Sequence, residues 1–394
     1  MLEIVYLCTQ RSISILFCRM KNPFVTKGYA GPEYFCDRVK ETKDLVQLLT
    51  NDNNMALISP RRIGKTDLIH HCFAQPEIKE RYYTFFIDIY STNSLADFVD
   101  VFGNAIFEEL KSFGRKAWEQ FFTALKSLQQ QISFDINGNP VWSIGMGNYN
   151  NPHTTLDEIF SYLRTADKPC LVAVDEFQQI TQYPDGHKVE AALRTHIQRC
   201  TNATFLFAGS KRHLMGEIFL SPSRPFYQSV ITMGLSPISQ EKYAEFAAMQ
   251  FSRNGKTLAP DVVPEVYERF SGVTSCLQRV MNVLFLSTAN GDICSADMID
   301  EAVNYLLDLY TEHYQTLVGQ MSEKQRSVFL AIASEKRVKG ISSGKFVRKH
   351  RLPSPSSVVS AVKGLMEKDF ITQDDGEYYV YDHFFQLWLE RQFS

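Results

Sequence analysis

The sequence predicts an α/β architecture: a mainly parallel sheet with helices on both faces, then an all-helical segment, then a small domain of helices and a hairpin. Three observations carry this. Between Met55 and Ala208 short apolar runs alternate with amphipathic helical patterns, and strands separated by helices pair in parallel with both faces covered. After Pro237 the periodicity is wholly helical to about Thr316. From about Val318 three short helices precede a Tyr-rich stretch, Phe370–Tyr381, broken by Asp374-Asp375-Gly376, and a closing helix follows.

The elements follow in order. Asn22–Asp37 is rich in Gly, Pro and aromatics, hence a loop, and Arg38–Thr50 carries Val39, Leu45, Val46, Leu48 and Leu49 at helical spacing. Met55–Ile58 is an apolar strand that stops at Ser59-Pro60, and Thr66–Ala74 reads as a helix. Tyr82–Tyr90 is a buried strand, and Ser94 caps an amphipathic helix to Phe113. Ser133–Pro152, with Asn-Gly-Asn-Pro and several glycines, reads as a hairpin or surface excursion. Helix Thr155–Arg164, strand Cys170–Val174, helix Val189–Arg199 and strand Ala203–Ala208 complete the alternation. The helical segment holds Gln240–Phe251, Pro260–Phe270, Thr274–Ser287 and Ala296–His313, and the last domain opens with Glu323–Ser334, Ser342–His350 and Ser354–Lys368.

A chain of 394 residues with 44% hydrophobic and 22% charged residues is globular, which excludes disordered, collagenous and polytopic membrane classes. The net charge of −3 means that any nucleic-acid contact comes from a local basic patch. The eight cysteines form no Cys-x-x-Cys pair, so neither a zinc site nor a disulfide framework is expected. Cys72 and Cys170 read as core residues in a reducing compartment, the cytoplasm. Met1–Phe17 is interrupted by Gln10, Arg11 and Ser12 and falls short of the ~20 residues of a membrane span. Met20-Lys21-Asn22-Pro23 resembles a natural start, so residues 1–19 are expected to be a dispensable extension, with a short edge strand as the alternative. The expected domains are 20–237, 238–316 and 317–394.

Two motifs carry chemistry. Ser59-Pro60-Arg61-Arg62-Ile63-Gly64-Lys65-Thr66 is a phosphate-binding P-loop with Ser59 where the strict pattern has Gly. Its backbone N–H groups would wrap phosphate at a helix N-terminus, with Asp67 completing the set, while Lys65 neutralises β/γ oxygens and the Thr66 hydroxyl holds Mg²⁺. Downstream, Leu171-Val172-Ala173-Val174 ends in Asp175-Glu176. A buried strand would deliver Asp175 to the sheet edge as a Mg²⁺ ligand, and Glu176 to activate water.

With these motifs placed, the chain resembles prokaryotic AAA+-related P-loop ATPases, grouped with the archaeal-type ATPase and STAND families, in a Bacteroidetes-like branch. The resemblance rests on NPFVTKGYAGPEYFCDR, SPRRIGKTDLIHH, VDEFQQI, FLFAGSKRHLM, SPSRPFYQS and YDHFFQLWL, which span nearly the whole chain from Met20. It implies an AAA+-type ATPase domain, a helical lid and a winged helix. It also implies that Phe35–Arg38 packs near adenine and that Ser210 occupies the sensor-1 position. Arg224 stands best for an arginine finger reaching a neighbouring copy in a homo-oligomer, with Lys211 and Arg212 as alternatives and a solvated surface role open. Arg279 would serve as sensor 2, or as a plain salt-bridging residue.

The terminal domain reads as a winged helix with polarised charge. Glu335–Arg351 carries seven Lys/Arg against one acid, and 352–394 three against seven. Lys345, Arg348, Lys349 and Lys363 are the residues expected on double-stranded DNA; a solvated face on a protein-binding domain is the alternative. His213, His350 and His383 lack Ser or Cys partners and read as surface or packing residues. Three functions stand open: a nucleotide-switched DNA-binding protein, a signalling switch, and a nucleotide-stabilised scaffold.

Overall fold

The computed structural model describes residues 22–128, 133–134, 140–141 and 151–393; the extension expected at 1–19 lies outside them. Residues 27–242 form one compact unit, and residues 243–393 with 22–26 form a second.

The first unit is built on five parallel strands: β1 (Met55–Ile58), β2 (Tyr83–Asp88), β3 (Cys170–Asp175), β4 (Ala203–Gly209) and β5 (Ile231–Gly234), in the order β2-β3-β4-β1-β5. Every residue of β3 is buried, as a central parallel strand requires. The two-residue alternation splits its side chains between two cores. Val172, Val174, Phe205 and Phe207 join helices α3 (Leu95–Ser112), α4 (Arg115–Ala124), α5 (Pro152–Thr165), α6 (Gly186–Arg199) and α7 (Arg212–Leu220) on one face. Leu171, Ala173, Leu206 and Ala208 meet α1 (Val39–Leu49) and α2 (Lys65–Phe73) on the other. Helices therefore cover both faces, as the sequence predicts. Ser94 caps α3 by accepting from the Asp97 amide at 3.2 Å.

Four elements differ from the sequence reading. β5 is an edge strand with mostly exposed side chains, so it lacks the apolar run that marks its neighbours. Helices α4 and α7 were not anticipated. Helix α5 begins at Pro152, earlier than Thr155, because the Asn151 side chain accepts from the His153 and Thr154 amides. Of the expected excursion at 133–152, Ser133–Phe134 and Pro140–Val141 pair antiparallel, and most of the rest lies outside the described residues. Cys72 and Cys170 are buried free thiols.

The second unit contains α8 (Gln240–Arg253), α9 (Val262–Arg269), α10 (Thr274–Ser287) and α11 (Met298–Gly319), then α12 (Glu323–Glu335), β6 (Val338–Lys339), α13 (Gly344–Lys349), α14 (Pro355–Glu367), β7 (Ile371–Asp374), β8 (Glu377–Val380) and α15 (His383–Phe393). α8 begins just before the boundary between units. The three strands form an antiparallel sheet ordered β6-β8-β7. Ser322 closes a capping box with Gln325, and Ser343 and Ser354 cap α13 and α14. Tyr314 of α11 stacks on Phe385 of α15 at 4.5 Å.

Candidate nucleotide site at the sheet edge

The site grows from the C-terminal ends of β1, β3 and β4. β4 lies between the other two, so the loop after β1 faces the acids after β3 with Ser210 set between them. The Ser59 amide donates to the Gly209 carbonyl at 3.3 Å, which seats the loop on β4. Ser59 is not among the residues with positive φ, so the departure from Gly at this position carries no backbone strain. Arg62 and Gly64 are the left-handed positions, at φ 69° and 87°. Gly64 is the cap from which α2 starts, where the first amides of a helix have no intrahelical partner.

Lys65 is 6% exposed. Its ammonium lies 4.0 Å from Asp175 Oδ1 and 4.0 Å from Glu176 Oε1, beyond hydrogen-bond reach of either. Thr66 Oγ1 donates to Asp175 Oδ2 at 2.7 Å, across 109 residues of sequence. Asp175 is 5% exposed and its Oδ1 accepts from the Glu176 amide at 2.9 Å. Glu176 then turns out of the strand with φ 54°. Its Oε2 accepts from Ser210 Oγ at 2.8 Å and from Gln178 Nε2. Arg61 Nε donates to Ser210 Oγ at 3.1 Å.

A hydroxyl and a carboxylate in contact are hard oxygen donors of the kind Mg²⁺ takes. Among the described residues no group of three or more His, Cys, Asp or Glu is arranged to hold a metal. A divalent ion here would therefore draw its remaining ligands from phosphate and water, and the donor set fits that use.

Arg38, expected near adenine, is 3% exposed and left-handed at φ 64°. Its guanidinium donates to Glu41 Oε1 at 2.9 Å and to the Ile63 carbonyl at 3.3 Å, bracing the phosphate loop from outside. Phe35 stacks on His71 of α2 at 4.1 Å, and His71 Nδ1 meets the Tyr29 hydroxyl at 2.9 Å. Burial lowers His71 and raises Asp67, which His70 pulls partly back.

Arg224, expected to reach a neighbouring chain, has a side chain that is 15% exposed and is held within this chain by the fully buried Glu190 and by Glu217 at 3.3 Å. This is an ion pair inside the fold, formed because Glu190 on α6 has no access to water. Lys211 and Arg212 follow Ser210 at the start of α7. Arg279 lies in the second unit, where Nη1 donates to the Tyr310 hydroxyl at 2.9 Å.

Sequence reasoning missed Gln178, Gly209 and Asp88. Asp88 pairs in register with Asp175; burial raises its carboxyl, the Tyr90 amide lowers it, and Asp175 and Glu176 raise it further. A Cβ on Gly209 would lie 2.4 Å from Gln178 Oε1 and 2.4 Å from Met215 Sδ, so only Gly fits while Gln178 holds Glu176. Gly209→Ala should therefore cost about 1–3 kcal/mol of stability, and any ATP turnover should fall more than nucleotide affinity. Thermal melts with paired binding and rate measurements check this; unchanged turnover would detach Gln178 from the chemistry.

In the second unit, Lys345, Arg348, Lys349 and Lys363 are all exposed. Lys349 and His350 both pair with Glu335, at 2.5 and 2.8 Å. Arg337 and Lys339 pair with Glu377, and Arg337 lies 4.3 Å from the Tyr379 ring centroid.

The comparisons with known proteins agree with this architecture. Residues 312–391 match a family model described as a probable winged helix domain. A Walker-type ATPase of Pyrococcus abyssi is similar in structure, with TM-score 0.64, 17% identity, and coverage of 93% of this chain and 99% of that one. The Aeropyrum pernix ORC2 protein, in ADPNP-ADP complexes, gives TM-score 0.59 and 12% identity over 95% of this chain and 99% of that one. The Aeropyrum pernix ORC1 protein in complex with DNA gives TM-score 0.53 and 10% identity over 91% and 94%. No curated protein matches the chain in sequence. The chain has the P-loop ATPase fold of these archaeal Walker-type and ORC-type proteins, joined to a C-terminal winged helix domain.

Proposed function

We propose that the chain binds ATP with Mg²⁺ at the edge of β1, β3 and β4, hydrolyses it, and couples nucleotide state to binding of double-stranded DNA by the winged helix. The observation that carries the first part is the Thr66–Asp175 contact at 2.7 Å, with the Lys65 ammonium buried beside it. A buried cation 4.0 Å from two carboxylates, next to hard oxygen donors, is poised for a polyphosphate. Mg²⁺, when bound, neutralises charge on the phosphate oxygens. Lys65 and the loop amides bind the β and γ phosphates, and Glu176, held by Ser210 and Gln178, orients water and takes its proton. The water oxygen bonds to the terminal phosphorus as the bond to the leaving ADP oxygen breaks, giving ADP and phosphate. Steady-state hydrolysis with and without duplex DNA, together with the nucleotide content of the purified protein, tests the proposal.

The DNA arm is supported by the exposed basic residues of α13 and α14, and by the similar ORC1 protein having been solved with DNA. Because Lys349 is already paired with Glu335, we expect three of the four named cations to act as independent phosphate contacts. The log–log salt slope should then be about −2.7, and it should flatten when Lys345, Arg348 and Lys363 are neutralised together. No binding to any duplex at low salt would leave the second reading, a nucleotide switch acting on a protein partner. That reading is favoured by the pairing of Arg337, Lys339 and Lys349 with acids of the same domain. Among the described residues no helix is long and apolar enough to cross a membrane; a cytoplasmic setting belongs to the same proposal.

A further inference from the structure

Resting on the nucleotide reading above, we propose that Arg61, inside the phosphate loop itself, is the catalytic arginine of this chain and acts in cis on the terminal phosphate. Arg61 Nε donates to Ser210 Oγ at 3.1 Å and lies 4.0 Å from Glu176 Oε1. Lys65 Nζ lies 4.0 Å from that same oxygen. Two cations thus flank the carboxylate that handles the attacking water, while Ser210 bonds its other oxygen at 2.8 Å. The guanidinium carbon sits 5.6 Å from the Tyr90 ring centroid. The Tyr90 amide donates to Asp88 at 2.9 Å, which fixes the turn after β2 beneath that ring. Anchored through Nε and braced by the ring, the planar fork has a set orientation.

The chemistry explains why a cation is needed there. As water bonds to the terminal phosphorus and the bond to ADP breaks, negative charge gathers on the bridging oxygen and on the three transferred oxygens. Lys65 meets the phosphates already in the ground state, so a further rate gain requires a second positive group beside Glu176 and Ser210. Arg61 occupies that place, and its fork suits phosphate oxygens. Binding of the polyanion exchanges the Arg61–Glu176 attraction for an Arg61–phosphate one, releasing Glu176 to water. Arg224 is committed to Glu190 and Glu217, so a single chain supplies lysine, arginine, hydroxyl and base without a neighbour.

The test measures ATP hydrolysis and binding of a fluorescent ATP analogue by the full chain, as wild type, Arg61→Ala and Arg61→Lys, over a wide range of protein concentration. Both variants should lose about 10²–10³-fold in kcat, with analogue affinity changed by less than about fivefold because Lys65 is intact. The wild-type rate per chain should not depend on concentration. Hydrolysis by Arg61→Ala within about threefold of wild type, or a per-chain rate that climbs with concentration, overturns the assignment while leaving the nucleotide reading standing. Wild-type protein that neither binds nor hydrolyses ATP overturns both. Should the alanine variant fail to fold by circular dichroism, the lysine variant, which keeps the charge and loses the fork, decides.

Discussion

Lys65→Ala should raise the Kd for ATP by about 100-fold, whereas Glu176→Gln should keep affinity and lose turnover by about 10²–10⁴-fold. The difference follows from where each group sits. Lys65 is buried at the start of α2, so its charge is felt by phosphate as soon as phosphate binds. Removing it deletes a charge-assisted contact and leaves Asp175 and Glu176, each 4.0 Å away, without their shared cation. Glu176 follows the end of β3, and its hydrogen bonds are to Ser210 and Gln178. A glutamine there keeps an acceptor for both partners but takes no proton, so the loss falls on the reaction alone. Isothermal titration with a non-hydrolysable analogue, beside steady-state rates, separates the two. Undiminished hydrolysis by Glu176→Gln would remove the base from its role.

The parts of this site legible in sequence are those that the sheet fixes by burial. β1, β3 and β4 announce themselves because their two faces are both covered, so they read as continuous apolar runs that stop where the chemistry begins. The Thr66–Asp175 contact is legible because Asp175 directly follows one such run and Thr66 ends the loop that follows another. β5 is harder to read for the converse reason: exposed on an edge, Ile231–Gly234 has only Ile231 and Met233 as apolar residues, not a continuous apolar run. Gln178 and Gly209 were hidden because their roles are mutual. Gln178 matters through its bond to Glu176, and Gly209 through the space that Gln178 occupies; neither relation leaves a pattern along one strand or helix. Arg224 is a different case: the resemblance implies a role for it at a neighbouring chain, but its contacts within this chain are to Glu190, 34 residues earlier, whose burial the sequence does not announce.

Arg224→Met should destabilise the protein strongly at pH 8 and weakly at pH 5. The Glu190 carboxyl is pushed up to about 7, chiefly by burial, with Arg224 pulling it down and Glu217 pushing it further up. An ordinary carboxyl in the unfolded chain titrates near ~4.3. Between those values the folded protein retains a proton that the unfolded one has released, so this residue's contribution to stability falls as pH rises from about 4.3 towards 7. It is fully present below the unfolded value and lost above the folded one. At pH 8 Glu190 is ionised in the wild type and depends on Arg224. Removing the guanidinium then leaves a buried carboxylate uncompensated, at a cost of about 3–5 kcal/mol. At pH 5 Glu190 is already neutral, and the loss reduces to a hydrogen bond and some packing, about 0.5–1.5 kcal/mol. Urea melts at the two pH values measure both, and adding Glu190→Gln to Arg224→Met should restore most of the loss at pH 8. Equal destabilisation at both pH values would mean that Arg224 holds the fold by packing rather than by charge.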